Sequence, residues 1–273
     1  MIQNKFELGT DEYLEKGLEC LKKEIELVTK AYSKLPDTKD SQSMVLSTLA
    51  YQVIETTHSL IVLSTLGKLG DCYALARIIF DHILNIGYIG AGGEQVLEKA
   101  TKHAHQKVFR DLDRKITIKD MGFGIGLKNI ENIEISDKLN AAISEFTSSR
   151  GTELRNWTDT NIFKKIEMIR DKYGWNIGQV LVINLFYIYR HASEIIHGSF
   201  FGALFTKGLA KPNHEWPKNH NEMQKFIKTY LGFIIQNVIL LNSVMMRIIH
   251  HHYPMNEDII QLDSLIDDYK NNV

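Results

Sequence analysis

Proline is almost missing from this chain. Its 273 residues hold only Pro36, Pro212, Pro217 and Pro254, so residues 37 to 211 contain none. A proline inside a helix removes a backbone donor and clashes with the preceding turn. A stretch this long without one is open to extended helices, and its apolar spacing has the helical period. That spacing predicts helices over about residues 10–34 and 41–66, with "SKLPDTKDSQS" as the loop between them. A third helix starts from Asp71 as N-cap and stops at "GAGG", residues 90–93, where successive glycines favour termination. "EQVLEKATKHAHQKVFRDLDRK" reads as a polar surface helix. Further helices are expected at about 136–148, 159–173, 176–200 and 220–250, and a short amphipathic one after Pro254. "KDMGFGIGLKNIENIEIS" reads as irregular and "KGLAKPNHEWPKNHN" as a long exposed loop, at about 206–219. No segment shows strand alternation or an internal repeat. The expected fold class is all-α, a multi-helix bundle-like single domain over residues 1–273.

The charge balance narrows function. A formal net charge of −1 gives no global electrostatic drive toward nucleic acid or anionic membrane, though a local basic patch stays open. Cys20 and Cys72 have neither metal-ligand spacing nor the density of a disulfide framework. The N-terminus, "MIQNKFELGTDEYLEKGLECLKKEIELV", is charged from its start and lacks an apolar signal core, so a cytoplasmic location is expected. "YLGFIIQNVILLNSVMMRIIHHHY" is long enough to span a bilayer. Gln236, Asn237, Asn242, Ser243 and Arg247 interrupt it, and Gln236, Ser243 and Arg247 share one stripe. That is the pattern of a core helix, and no membrane partner is expected.

Chemistry concentrates in "YRHASEIIHGSFF", residues 189–201. Arg190 and His197 are seven apart and nearly superimposed on a helix face; Glu194 lies between them and Ser193 borders the group. A guanidinium can hold a phosphate and an imidazole can move a proton. The plainer reading is an Arg190–Glu194 pair closing a structural network. A second polar row, Arg77, Asp81 and Asn85, runs at i, i+4, i+8 on an apolar helix. It reads either as a buried pair fixing helix register or as one wall of a pocket shared with Arg190 and His197.

Arg190-His191-(x)5-His197 resembles the R-x(4–6)-H signature, with a polar residue after the arginine, of the HEPN superfamily (higher eukaryotes and prokaryotes nucleotide-binding). The resemblance implies an all-helical, metal-independent ribonuclease of bacterial defence or toxin–antitoxin systems. It implies a homodimer in which Arg and His of two protomers meet, with RNA as substrate, no cofactor, and an antitoxin or defence protein as possible partner. His197 would serve as general acid or base and Arg190 as phosphate binder. His191 and Glu194 would support them, with Arg77, Asp81, Ser193 and Tyr189 behind. Two other matches to the spacing, Arg77/His82 and Arg247/His252, do not place both groups on one helix face. The wider pattern "ALARIIFDHILNIGYI", "NWTD", "YRHASEIIHG" also resembles a bacterial helical family known only as a domain of unknown function. Its hallmarks would fall on Arg77, Asp81, Trp157, Tyr189, Arg190, Ser193 and His197, within a family-like core of about 41–205.

Two rival readings stay open. One is a non-catalytic sensor or interaction module with structural Arg–Asp and Arg–Glu networks. The other is a di-iron bundle. Glu55/His58 and Glu194/His197 are both E-x-x-H, and Asp81 with Glu24 or Glu26 would complete the ligand set. A guanidinium on the face of Glu194 and His197 opposes that second reading electrostatically. "GFGIG" and "GAGG" lack the context of phosphate loops, His103 and His105 point to different sides of their helix, and Trp157 reads as a packing anchor.

Overall fold

A computed structural model describes residues 7–35, 40–118, 121–126, 135–209 and 219–272. The elements in chain order are α1 (Asp11–Tyr32), α2 (Ser41–Thr65), α3 (Leu69–Asp111), β1 (Asp113–Ile118), β2 (Met121–Gly126), α4 (Asp137–Glu145) and α5 (Ile162–Tyr173). Then come α6 (Trp175–Asn184), a π-helical stretch (Leu185–Tyr189), α7 (Arg190–Ile196), α8 (Phe200–Thr206), α9 (His220–His252) and α10 (Asn256–Asn272). The class is all-α, as the proline-free stretch and the helical period require. The contacts group the chain into two compact units: residues 1–91 with 163–273, and residues 92–162. Most of the loop expected at 206–219, and part of the one after α1, lie outside the described residues.

The first unit is built around α1 and α9. Thr10 caps α1 by accepting from the Tyr13 amide at 3.3 Å, and Asp40 caps α2 by accepting from the Ser43 amide at 2.9 Å. Asn219 caps α9 through the Glu222 amide at 3.0 Å. Each cap satisfies a donor the helix itself leaves unpaired. Leu18, Leu21, Ile25 and Val28 recur at helical spacing and are buried. They pack α1 on α2, α9 and α10. α9 is long and apolar enough to cross a membrane by length and composition, yet Leu231, Ile234, Ile235, Val238, Leu241, Met245 and Ile248 are buried inside this unit. Each such burial contributes ~1.5–3 kcal/mol, so α9 is the unit's central core helix.

α3 starts at Leu69, so Asp71 lies in its first turn and is not its cap. The helix is interrupted at "GAGG", as expected: Gly93 leaves helical geometry (φ 65°, ψ −153°) and a second helical segment follows it to Asp111. The second unit holds a correction to the strand-free expectation. β1 and β2 form an antiparallel hairpin with Ile116 opposite Phe123. β-branched residues in "DRKITI" favour a strand, but the run is short and its partner "MGFGIG" is half glycine, which hid the alternation. In the same unit Phe146 is buried against His103 at 4.9 Å, and Arg110 donates to Thr147 Oγ1 at 2.6 Å.

Candidate functional site

The helix expected over 176–200 runs without interruption from Trp175 to Ile196, and a π-helical turn inside it shapes the candidate site. α6 begins after Gly174 (φ 103°) and runs to Asn184. The next residues, Leu185–Tyr189, widen into a π-helical turn. Such a turn takes an extra residue and shifts the phase of everything after it; π-turns recur at functional sites. Its neighbours hold it on both sides. His191 donates from Nδ1 to the Tyr187 carbonyl at 3.2 Å, which fixes its tautomer because a carbonyl can only accept. Arg77 Nη2 donates to the Tyr189 hydroxyl at 3.3 Å, and the same guanidinium lies 4.3 Å from the Tyr189 ring centre.

α7 ends in a tight corner. The Ser199 amide donates to the Glu194 carbonyl and the Gly198 amide to the Ile195 carbonyl, each at 3.1 Å, with Gly198 at φ 65°. That pair of bonds is the Schellman termination that a left-handed glycine permits. Ser199 then caps α8 through the Gly202 amide at 3.0 Å. A Cβ at Gly202 would come within 2.6 Å of the Glu194 carbonyl oxygen, so glycine is required where α8 crosses α7.

This corner presents the trio. Arg190, Glu194 and His197 are all exposed. Arg190 and Glu194 form no ion pair among the described residues; the guanidinium instead lies 5.9 Å from the Phe186 ring centre. The structural Arg190–Glu194 network is therefore not present. His191 is half-buried between Phe205 (4.6 Å) and Tyr73 (5.9 Å), and burial lowers its pKa. Its bond to the Tyr187 carbonyl ties α7 to the π-turn. Ser193 is half-buried, and its carbonyl accepts from the His197 amide at 3.1 Å.

The second polar row forms, with an addition. Arg77 Nε stands 3.6 Å from Asp81 Oδ2. Lys165, from α5, donates to Asn85 Oδ1 at 3.2 Å and lies over the Tyr88 ring at 5.1 Å. Asp81 keeps 45% of its side-chain surface exposed, yet burial of its carboxyl by the surrounding protein raises its pKa, with Arg77 opposing. Burial also lowers the pKa of Lys165, with Asp81 opposing. Tyr189 joins this row to the trio, since Arg77 touches it and Arg190 follows it. No sequence pattern announced Lys165, which comes from a helix 80 residues away.

The stretch of chain that carries the trio exposes many apolar side chains. Val182, Ile183, Phe186, Tyr187, Ile196, Phe200 and Phe201 are exposed, Phe200 by 79%. Adjacent pairs such as Val182/Ile183 and Phe186/Tyr187 face solvent together along the widened helix.

The di-iron ligand set is not assembled. Among the described residues no three His, Cys, Asp or Glu side chains gather as a metal would require. Glu55 and His58 are exposed on α2, Glu26 is exposed on α1, and Glu24 is buried against Asn242, whose Nδ2 it accepts at 3.1 Å. Trp157 belongs to the second unit, where it is half-buried.

A family model matches residues 43–208, more than half of the chain. The chain belongs to DUF5677, a family of unknown function. The DUF5677 match spans the α2–α8 segment, with both the Arg77–Asp81 row and the Arg190–His197 trio inside it, and agrees with the core expected at 41–205. No curated protein and no solved structure matches the chain.

Proposed function

We propose that this DUF5677 chain is a metal-independent, HEPN-like endoribonuclease of a bacterial defence or toxin–antitoxin system, acting on RNA as a homodimer. One observation supports this reading above the others: Arg190 and His197 are both exposed, on a stretch of chain whose apolar residues Phe186, Ile196 and Phe200 are exposed as well. A structural network would enclose and satisfy such groups. A pair completed across a protomer interface needs them open and needs apolar surface around them. In this reading the Arg190 guanidinium steadies the scissile phosphate. His197 accepts the ribose 2′-hydroxyl proton as that oxygen attacks phosphorus; the 5′-oxygen leaves as its P–O bond breaks and takes a proton from solvent water, and His197 later releases its own to solvent. The products are a 2′,3′-cyclic phosphate and a 5′-hydroxyl. Tyr189, held by Arg77, sets the direction of Arg190.

The test is cleavage of total and synthetic RNA by the purified chain in EDTA, beside His197→Ala of equal folding stability. Cleavage by wild type leaving 2′,3′-cyclic ends, and its loss by 10²-fold or more in His197→Ala, is the expected result. Equal cleavage by both proteins, or by neither, sinks the reading.

A further inference from the structure

α2 carries almost no charge. Its 25 residues include one carboxylate, Glu55, and no lysine, arginine or aspartate. By contrast α1, at 22 residues, carries ten charged side chains. A helix bare of charge suits a site where its whole circumference is buried. The outer face of α2 is instead open: Thr48, Tyr51, Glu55, His58, Val62 and Thr65 are all exposed. Met44 and Leu66 extend that face at its ends, 55% and 63% exposed. The six positions step by 3, 4, 3, 4 and 3 residues along an uninterrupted helix, so they lie in one stripe. Glu55 and His58 sit at its centre. Among the described residues neither side chain has a hydrogen-bond or ion-pair partner.

We infer that this stripe is a contact between two copies of the chain, with their α2 helices antiparallel about a two-fold axis. Such a contact must be complementary to itself, and the stripe is. Turned end for end about a point between Glu55 and His58, it falls on its own pattern. Thr48 meets Thr65 of the second copy, Tyr51 meets Val62 of the second copy, and Glu55 meets His58 of the second copy. The centre then holds two carboxylate–imidazole pairs in place of four groups without partners. On either side a tyrosine ring covers a valine. Parallel pairing would instead set Glu55 on Glu55 and His58 on His58, like against like. A bilayer surface would have to take up a carboxylate at the middle of the stripe. One helix pair covers less than the roughly 800 Å² per partner of a stable complex, so the contact is weak, with a dissociation constant on the order of 10⁻⁴ M. At low micromolar protein it leaves the sedimentation of the chain unaltered. It lies on α2, whereas the trio and its exposed apolar neighbours lie on α6 to α8, and it does not rest on the ribonuclease reading.

Disulfide trapping in the full chain tests the pairing. The native Cys20 and Cys72 are buried and do not compete. Tyr51→Cys and Val62→Cys are made as separate variants, both at exposed positions outside the core. In the antiparallel register position 51 of one copy faces position 62 of the other. Two copies of the same variant hold their cysteines about 16 Å apart along the helices, beyond disulfide reach. Mixed at about 10⁻⁴ M in a glutathione redox buffer, the two variants are expected to give at least tenfold more linked dimer than either gives alone. Glu55→Arg in both chains is expected to cut that yield several-fold. Glu55→Arg in one chain and His58→Glu in the other is expected to restore it, because opposite charges then face each other at the centre. Helicity and melting temperature are expected to stay unchanged throughout. Linking within either variant alone, to the level of the mixture, overturns the antiparallel contact. So does a mixture that links no more than its parts, and so does a yield indifferent to both charge changes. No readout here involves RNA, so a failure of the ribonuclease reading leaves the result intact.

Discussion

Glu24 shows how a single buried group sets a measurable property. It is fully buried on α1, and its Oε2 accepts from Asn242. Its Oε1 and the Asn242 Oδ1 are buried with no hydrogen-bond partner among the described residues. Burial raises the Glu24 pKa well above the usual carboxylate value, and the Asn242 bond opposes this. A protonated carboxyl supplies the donor that two orphaned acceptors lack. The sign follows from linkage. The unfolded carboxyl ionises near pH 4.3 while the folded one holds its proton to higher pH, so stability is complete below that value and falls as pH rises toward the folded pKa. Within that window the slope is on the order of 1 kcal/mol per pH unit. Urea unfolding between pH 5 and pH 8 is expected to show wild type weakening with pH, and Glu24→Gln showing a flatter dependence. Parallel curves for the two proteins would mean that Glu24 is ionised in the fold. Arg77 acts locally in another way, bonding and stacking on Tyr189 while paired with Asp81. Arg77→Met keeps the aliphatic stem and removes all three contacts, and is expected to cost about 1–3 kcal/mol in the same assay. A loss within error would show that the π-turn stands without it.

At the level of elements, the corner between α7 and α8 separates two kinds of glycine. Gly198 has φ 65° and open space around it, so Gly198→Ala pays only for backbone conformation, about 1–2 kcal/mol. Gly202 lies against the Glu194 carbonyl, so Gly202→Ala forces α8 away from α7 and is expected to cost more than Gly198→Ala. Thermal unfolding of the two variants orders them directly; the reverse order would mean that α8 shifts freely. The same corner explains what the sequence disclosed. Arg77, Asp81 and Asn85 were legible as a row because they share one helix, and so were Arg190, Glu194 and His197. Lys165 was not, since its place beside Asn85 depends on how α5 packs. The π-turn was not, because its hydrogen bonds depend on His191 and Arg77 meeting residues of a different turn or helix. "HGS" did carry the helix end, a left-handed glycine followed by a capping serine, but the continuing apolar pattern masked it. Exposure was the decisive thing hidden. Val182, Phe186 and Phe200 have the composition of a core, and only the tertiary fold leaves them on the surface.

For the whole molecule, that surface carries the last prediction. Monomeric proteins rarely expose contiguous apolar patches beyond a few hundred Å². Here large apolar side chains on α6, the π-turn, α7 and α8 are exposed along the same stretch of chain as an arginine and a histidine that have no ion-pair partners among the described residues. A stable interface needs roughly 800 Å² from each partner, and aromatic residues at its centre are the ones whose loss matters most. If a second copy covers this face, Phe186→Asp and Phe200→Asp each place an unpaired charge in the buried interface while disturbing nothing in the monomer's core. Sedimentation velocity is expected to give a dimer for wild type and a monomer for each variant, with unchanged helicity by circular dichroism. RNA cleavage is expected to fall together with dimerisation, because the two trios then no longer meet. Monomeric variants that cut RNA at the wild-type rate would place the whole reaction within one protomer. A monomeric wild type would leave the apolar face to some partner other than a second copy, and with it the completion of the Arg190–His197 site.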